Sequence, residues 1–150
     1  MKKYLGIDPG KSGAFTILDE NRNVIEIIDM PVCGKELDYN GIIEIFNKYP
    51  DAFICVEECQ YTPALRGGKG CFTFGQVTGA IYGIIAGLQR PYERVKPQRW
   101  EREYNLHGKP KAESIAKAKQ LFPDQNAKLL KPKDGRADSL LLAEYARRKF

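Results

Sequence analysis

Apolar runs separated by turn residues set the frame of this chain. Tyr4-Leu5-Gly6-Ile7 reads as a buried strand ending at Asp8, and Asp8-Pro9-Gly10-Lys11-Ser12-Gly13 is dense in turn formers. Ala14–Leu18, the polar stretch Asp19–Asn23 and Val24–Ile28 then give a hairpin pattern, so three antiparallel strands are expected to open the fold. Within 39–48, Ile42, Ile43, Ile45 and Phe46 fall at helical spacing. That helix leads to a fourth strand, Ala52–Val56, apolar on both faces as a buried parallel strand is, which runs into Glu57-Glu58.

A glycine-rich basic loop is expected at 66–70. Beyond it Gly75, Gly79, Gly83 and Gly87 recur every fourth residue among Val77, Ile81, Ile84 and Ile85. As a helix, this is an apolar rod with one stripe almost free of side chains. Each glycine costs about 1 kcal/mol relative to alanine, so close packing is expected to offset it, either on the chain's own sheet or on a second copy. Tyr92–Val95 is a short strand, Pro97 starts a helix containing Trp100, and Ile115, Ala118, Leu121 and Phe122 mark a helix over Lys111–Phe122 that Pro123 stops. The last helix begins near Asp134-Gly135 and ends at Arg147-Arg148-Lys149, charges suited to a helix C-terminus. The order β-β-β-α-β-α-β-α-α-α predicts an α/β fold: a mixed five-stranded sheet, three antiparallel strands then parallel ones, flanked by helices.

With 150 residues, 43% of them apolar, and no repeat or linker, one domain spanning 1–150 is expected, which argues against disorder or a fibrous array. The charge is uneven. Residues 1–60 carry 6 Lys/Arg against 11 Asp/Glu, and residues 61–150 carry 18 against 8. Carboxylates in one part and a basic surface in the other suit a site that acts on a polyanion. Met1-Lys2-Lys3 runs straight into a core strand, so no signal peptide is expected and the reducing cytoplasm is the predicted compartment. Cys55-Val-Glu-Glu-Cys59 has a spacing compatible with zinc, but Cys33, Cys71 and the single His107 are scattered, and small buried thiols are the expected reading. The apolar stretch Phe72–Leu88 includes Thr73, Gln76 and Thr78, and no membrane span is expected.

Acids sit at telling places. Asp8 ends the first strand, Glu57 or Glu58 ends the fourth, and Asp134 and Asp138 open the last helix. Parallel neighbouring strands bring their carboxyl ends together, where ligands of such sheets bind. Residues 134 and 138 lie one helical turn apart, on one face. Crowded carboxylates raise one another's pKa and favour hard divalent cations. Oxygen donors without a histidine cluster point to Mg2+, with Mn2+ as the alternative, and two such ions ~3.5–4 Å apart serve phosphodiester hydrolysis. Structural readings exist for single members: Asp8 opening a turn, Asp134 capping a helix, one of Glu57 and Glu58 merely solvated.

Gly6-Ile7-Asp8-Pro9-Gly10, Val56-Glu57-Glu58, Phe74-Gly75-Gln76 with Gly79, Val95-Lys96-Pro97 with Trp100, and Asp134-Gly135-Arg136-Ala137-Asp138-Ser139-Leu140-Leu141 together resemble the RuvC family of Holliday junction resolvases, in particular its small bacteriophage-type members. The resemblance spans nearly the whole chain. It implies an RNase H-like fold, a homodimer, two Mg2+ ions and paired symmetric nicks in a four-way DNA junction. It assigns Asp8, Glu57, Asp134 and Asp138 as catalytic metal ligands, and Lys111 to a position near the scissile phosphate. Bacterial members place the acid or histidine before the last aspartate three residues upstream of it, where this chain has Gly135, so Asp134 either ligates metal or caps the helix.

The basic half supplies candidate DNA contacts. Tyr61, Arg66, Lys69 and Phe72 follow the Glu57 strand, the aromatics suited to stacking on an unpaired base and the cations to phosphates. Phe72 has an alternative place in the core. Lys96, Arg99 and Lys109, with Arg102 and Lys111, form a second basic group that would bind backbone without choosing sequence. A two-fold symmetric junction asks for two sites in a C2 dimer, with the glycine-striped helix as the candidate interface. Two other readings share part of the pattern: an actin-like or sugar-kinase-like ATPase, for which 150 residues leave no second nucleotide-enclosing domain, and a branched-DNA-binding module without catalysis. No nucleotide cofactor is expected.

Overall fold

The computed structural model describes residues 1–58, 60, 68–129, 133 and 135–150, with Lys69 described by its backbone alone. Three strands, β1 (Lys3–Asp8), β2 (Ala14–Asp19) and β3 (Val24–Asp29), form an antiparallel meander. A small hairpin of β4 (Val32–Cys33) and β5 (Glu36–Leu37) follows, then α1 (Tyr39–Lys48), β6 (Phe53–Glu57), α2 (Gly68–Gly87), β7 (Tyr92–Val95), α3 (Pro97–Glu103), α4 (Lys111–Leu121) and α5 (Gly135–Lys149). The main sheet has the order β3-β2-β1-β6-β7, with β6 parallel to both β1 and β7. The mixed five-stranded sheet expected from the sequence is therefore the one observed.

Each element has a local cause. Asp38 caps α1, its side chain accepting from Gly41 N at 3.0 Å, and Ile42, Ile45 and Phe46 form the buried face of that helix. Pro97 starts α3 and Pro110 precedes α4, positions where a missing N–H costs nothing. Strand parity divides the core. Leu5, Ile7, Phe15, Ile17, Ile54 and Val56 pack with α1 and α2 residues such as Phe46, Ile81 and Ile85. Tyr4, Leu18, Cys55 and Val95 face the opposite way, onto Trp100, Ile115, Leu141 and Tyr145 of α3, α4 and α5.

Several expectations are corrected. The β4–β5 hairpin was not foreseen, because two-residue strands are too short to display alternation. Gly68–Gly70, expected in a loop, are already helical. The glycine stripe of α2 does not pack on the sheet: Val77, Ile81 and Ile85 do that, and a Cβ built at Gly75, Gly79, Gly83 or Gly87 meets nothing within 4 Å. Phe72, for which the sequence leaves both a DNA contact and a place in the core open, is 70% exposed, which removes the core reading. Of the thiols, Cys55 is buried, and burial pushes it up to about 12, whereas Cys33 is exposed, against the expectation of buried cysteines, and Cys71 is intermediate. Cys59 lies outside the described residues. Among the described residues no helix is long and apolar enough to cross a membrane.

Candidate active site

The pairing of β1 with β6 sets the site. Ile7 is registered with Val56, so the next residues, Asp8 and Glu57, end adjacent parallel strands, whose spacing is about 4.8 Å. The parity that sends Leu5 and Ile7 toward α2 sends Tyr4, Gly6 and Asp8 toward α5, and the same alternation in β6 turns Glu57 to that face.

Helix α5 brings the third acid. It lies against β1 because Gly6 has no side chain: a Cβ there would stand 2.3 Å from the Ser139 carbonyl oxygen. Ser139 and Thr16 of β2 share a buried hydroxyl hydrogen bond of 2.7 Å. Gly135 makes a second close approach, its Cβ position lying 2.5 Å from Ser12 O and 2.9 Å from an Asp8 carboxylate oxygen. A side chain at 135 would collide with the backbone of the 9–13 turn. Asp138, in the first turn of α5, is 2% exposed.

Lys111, the first residue of α4, donates from Nζ to Asp138 Oδ2. Burial works against the charge of this lysine, but Asp138 beside it, and then Asp8 and Glu57, raise its pKa above the ordinary lysine range. Glu57 is pushed up to about 7, first by burial and then by the Asp138 charge, with the Trp100 hydrogen bond and Lys111 opposing. The acids are thus electrostatically linked, with one cationic side chain among them.

Asp8, the 9–13 turn, Glu57 and Lys111 line an open cleft of about 740 Å³, closed on its other side by Gly70, Thr73, Phe74 and Val77 of α2. Glu57 and Lys111 also line a second cleft of about 390 Å³ with Glu58, Gln98, Glu101 and His107. Of these two clefts Glu58 lines only the second, whereas Glu57 lines both and shares the first with Asp8. Among the described residues no three His, Cys, Asp or Glu side chains form a preassembled metal cage. The donor chemistry nevertheless fits a hard cation: the acids at this edge offer carboxylate oxygens, and burial with the Asp138 charge beside it disfavours the anionic form of Glu57 unless a positive charge is near.

The remaining candidates divide. Asp134, Tyr61 and Arg66, and the side chain of Lys69, lie outside the described residues. Phe72 is exposed on α2. Lys96 is exposed at the N-cap of α3, directly after β7, and Lys109 is exposed just before α4, so both flank residues of the second cleft. Arg99 is exposed and stands 4.0 Å from Glu93.

One partner of the site was not foreseen. Trp100, which the sequence places in the helix started by Pro97, donates from its indole Nε1 to Glu57 Oε2 at 2.8 Å. The available signal was chemical: a tryptophan on an amphipathic helix beside the carboxyl edge of the sheet will be buried, and a buried indole N–H needs an acceptor.

No protein-family model and no curated protein matches the chain. Solved structures do. The chain is similar to Thermus thermophilus RuvC in complex with a Holliday junction substrate, over 99% of this chain and 97% of that one, with a TM-score of 0.72 and 15% identity. A second T. thermophilus RuvC structure matches over 97% and 96%, with a TM-score of 0.63 and 17% identity. The yeast mitochondrial Holliday junction resolvase Ydc2 matches over 97% of this chain and 77% of that one, with a TM-score of 0.61 and 15% identity. The chain therefore has the RuvC fold, an RNase H-like arrangement, as the sequence motifs implied.

Proposed function

We propose that this chain is a structure-selective endonuclease that resolves four-way DNA junctions by paired, symmetric, metal-dependent nicks. One observation carries the reading: the β1–β6 register and the descent of α5 onto Gly6 bring Asp8, Glu57 and Asp138 to one edge of a RuvC-type sheet. The fold is shared with a protein solved on a Holliday junction.

Asp8, Glu57 and Asp138, with Asp134, would hold Mg2+ or Mn2+; two such ions, when bound, supply an activated water and charge stabilisation at the departing oxygen of a phosphodiester. The chain's own residues do the rest. Lys111 brings a positive charge to the acid cluster and to the phosphate that would enter the 740 Å³ cleft. Lys96, Arg99 and Lys109 attract and orient the backbone of the arms, and Tyr61, Arg66 and Lys69 are further contacts proposed from the sequence alone; Phe72, being exposed, is available to stack on an unpaired base. The open glycine stripe of α2 is the face on which a second copy would pack, giving two sites related by the symmetry of the junction.

The test is a labelled four-way junction incubated with and without Mg2+, wild type against Asp8→Asn. Symmetric nicks by the wild type in Mg2+, and binding without cutting by the variant, are expected. Binding without Mg2+-dependent nicks by the wild type would make the chain a junction-binding module instead.

A further inference from the structure

We infer that Trp100 is a positioning residue: its indole N–H fixes which oxygen of Glu57 remains available to the cleft, and thereby sets divalent-cation affinity there. The inference rests on the nuclease reading above.

Trp100 is 2% exposed, and its one polar atom donates to Glu57 Oε2 at 2.8 Å. Donor and acceptor are anchored by adjacent strands. Glu57 ends β6 and is registered with Val95, the last residue of β7, and α3 starts two residues later at Pro97. On its other side Trp100 packs against Tyr104, ring centroids 6.5 Å apart, and the Tyr104 hydroxyl donates to the Leu141 carbonyl at 3.0 Å. Leu141 lies one turn beyond Asp138 on α5. Trp100 therefore braces Glu57 against the helix that carries Asp138.

The chemistry of the donor matters as much as its position. A glutamate has three side-chain torsions, and one that is only partly enclosed samples several of them at an entropic cost to any ligand it must hold. A buried, neutral indole restrains the carboxylate by Oε2 and leaves Oε1 for the cleft that Glu57 lines. Being uncharged, it does so without competing with a cation. Partners of this kind behind a metal ligand are worth about 10–100-fold in affinity.

Trp100 is the only tryptophan of the chain, so emission excited at the red edge of the indole band, where the eight tyrosines absorb little, reports on the surroundings of this one side chain. Addition of MgCl2 is expected to change the emission of the wild type and to leave that of Glu57→Gln unchanged. In calorimetric titration with MnCl2, Trp100→Phe is expected to lose about tenfold in affinity. In nicking assays the Mg2+ concentration for half-maximal rate should rise by the same factor, with kcat at saturating Mg2+ within about threefold of wild type, the signature of lost ligand positioning rather than lost chemistry. If Trp100→Phe does not fold, 3-benzothienylalanine at position 100 keeps the bicyclic shape without the N–H, and the same loss is expected. A folded variant of either kind that binds Mn2+ as tightly as a wild type that nicks junctions would overturn the inference and leave the nuclease reading intact. A wild type that neither takes up Mn2+ nor nicks junctions would overturn the nuclease reading, and this inference with it.

Discussion

Gly6 of β1 and Ser139 of α5 approach so closely that a methyl group on Gly6 would stand 2.3 Å from the Ser139 carbonyl oxygen and 2.4 Å from the Ala143 nitrogen. Both obstacles are backbone, which cannot rotate aside. Gly6→Ala is therefore expected to push strand and helix apart, at or above the upper end of the ~1–3 kcal/mol typical of overpacking. Thermal denaturation measures the cost, and junction nicking should suffer as well, since the same contact seats Asp138 near Asp8. An alanine variant that melts with the wild type would refute this account of how α5 is placed.

Lys111→Met removes the ammonium from Asp138 while keeping much of the stem. Single-turnover nicking at saturating Mg2+ is expected to fall on the order of 100-fold, the usual loss when a preorganised electrostatic contact to the reacting group is deleted. Junction affinity should change little, because the other exposed cations bear most of the backbone attraction. Loss of binding in proportion to cutting would reassign Lys111 to the DNA interface.

Burial and the Asp138 charge push Glu57 up to about 7 from an ordinary value of 4.5. A carboxyl raised on folding contributes stability that is fully present below about pH 4.5 and lost as the pH climbs through about 7. In the presence of a chelator, Glu57→Gln removes this penalty and keeps an acceptor for Trp100. The variant should melt higher than wild type at pH 8, by about 2–4 °C for each kcal/mol relieved, with the advantage vanishing near pH 4. Equal melting temperatures at pH 8 would contradict the strained placement of Glu57.

Asp29 shows the opposite sign. Hydrogen bonds from Arg136 at 2.6 and 2.8 Å, and then from Lys133, hold its carboxyl down to about 2 against the effect of burial. Its contribution is present above about pH 3.8 and disappears as the pH falls through about 2. The side chain is 39% exposed, so solvent screening keeps the gain near ~1 kcal/mol. Asp29→Asn should lower stability by that amount at pH 7 and not at pH 2, in denaturant titrations at the two pH values.

Leucine at Gly83 meets open space in one copy of the chain, so Gly83→Leu should not lower the melting of the monomer, which gains up to about 1 kcal/mol of helix propensity, while weakening self-association. Sedimentation at several concentrations reads this directly. An unchanged dimer would move the interface away from α2.

Much of the architecture was legible because local patterns and burial agree. The strand ending at Asp8, the doubly apolar strand before Glu57 and the helix carrying Asp138 each declare themselves by periodicity and end signals. The gathering of acids was legible too, since Asp8 and Glu57 end strands that pair in parallel and Asp138 opens the helix that packs on them. What eluded the sequence depended on contacts between distant residues. The glycine stripe leaves open from sequence whether the sheet or a second copy covers it; Val77, Ile81 and Ile85 face the sheet and the stripe does not, because an all-apolar helix does not say from its sequence which side is covered. The order of residues implies that a buried Trp100 needs an acceptor but not that the acceptor is Glu57, that Tyr104 ties α3 to α5, or that Gly6 and Gly135 are the places where α5 meets the first strand and turn. The sequence by itself determined the elements, their order and the residue types able to hold a hard cation, because those follow from torsional preference, periodicity and side-chain chemistry. Tertiary structure alone decided which acid faces which, what restrains each one and which surface stays open, because those depend on strand register and on the distance between backbones far apart along the chain.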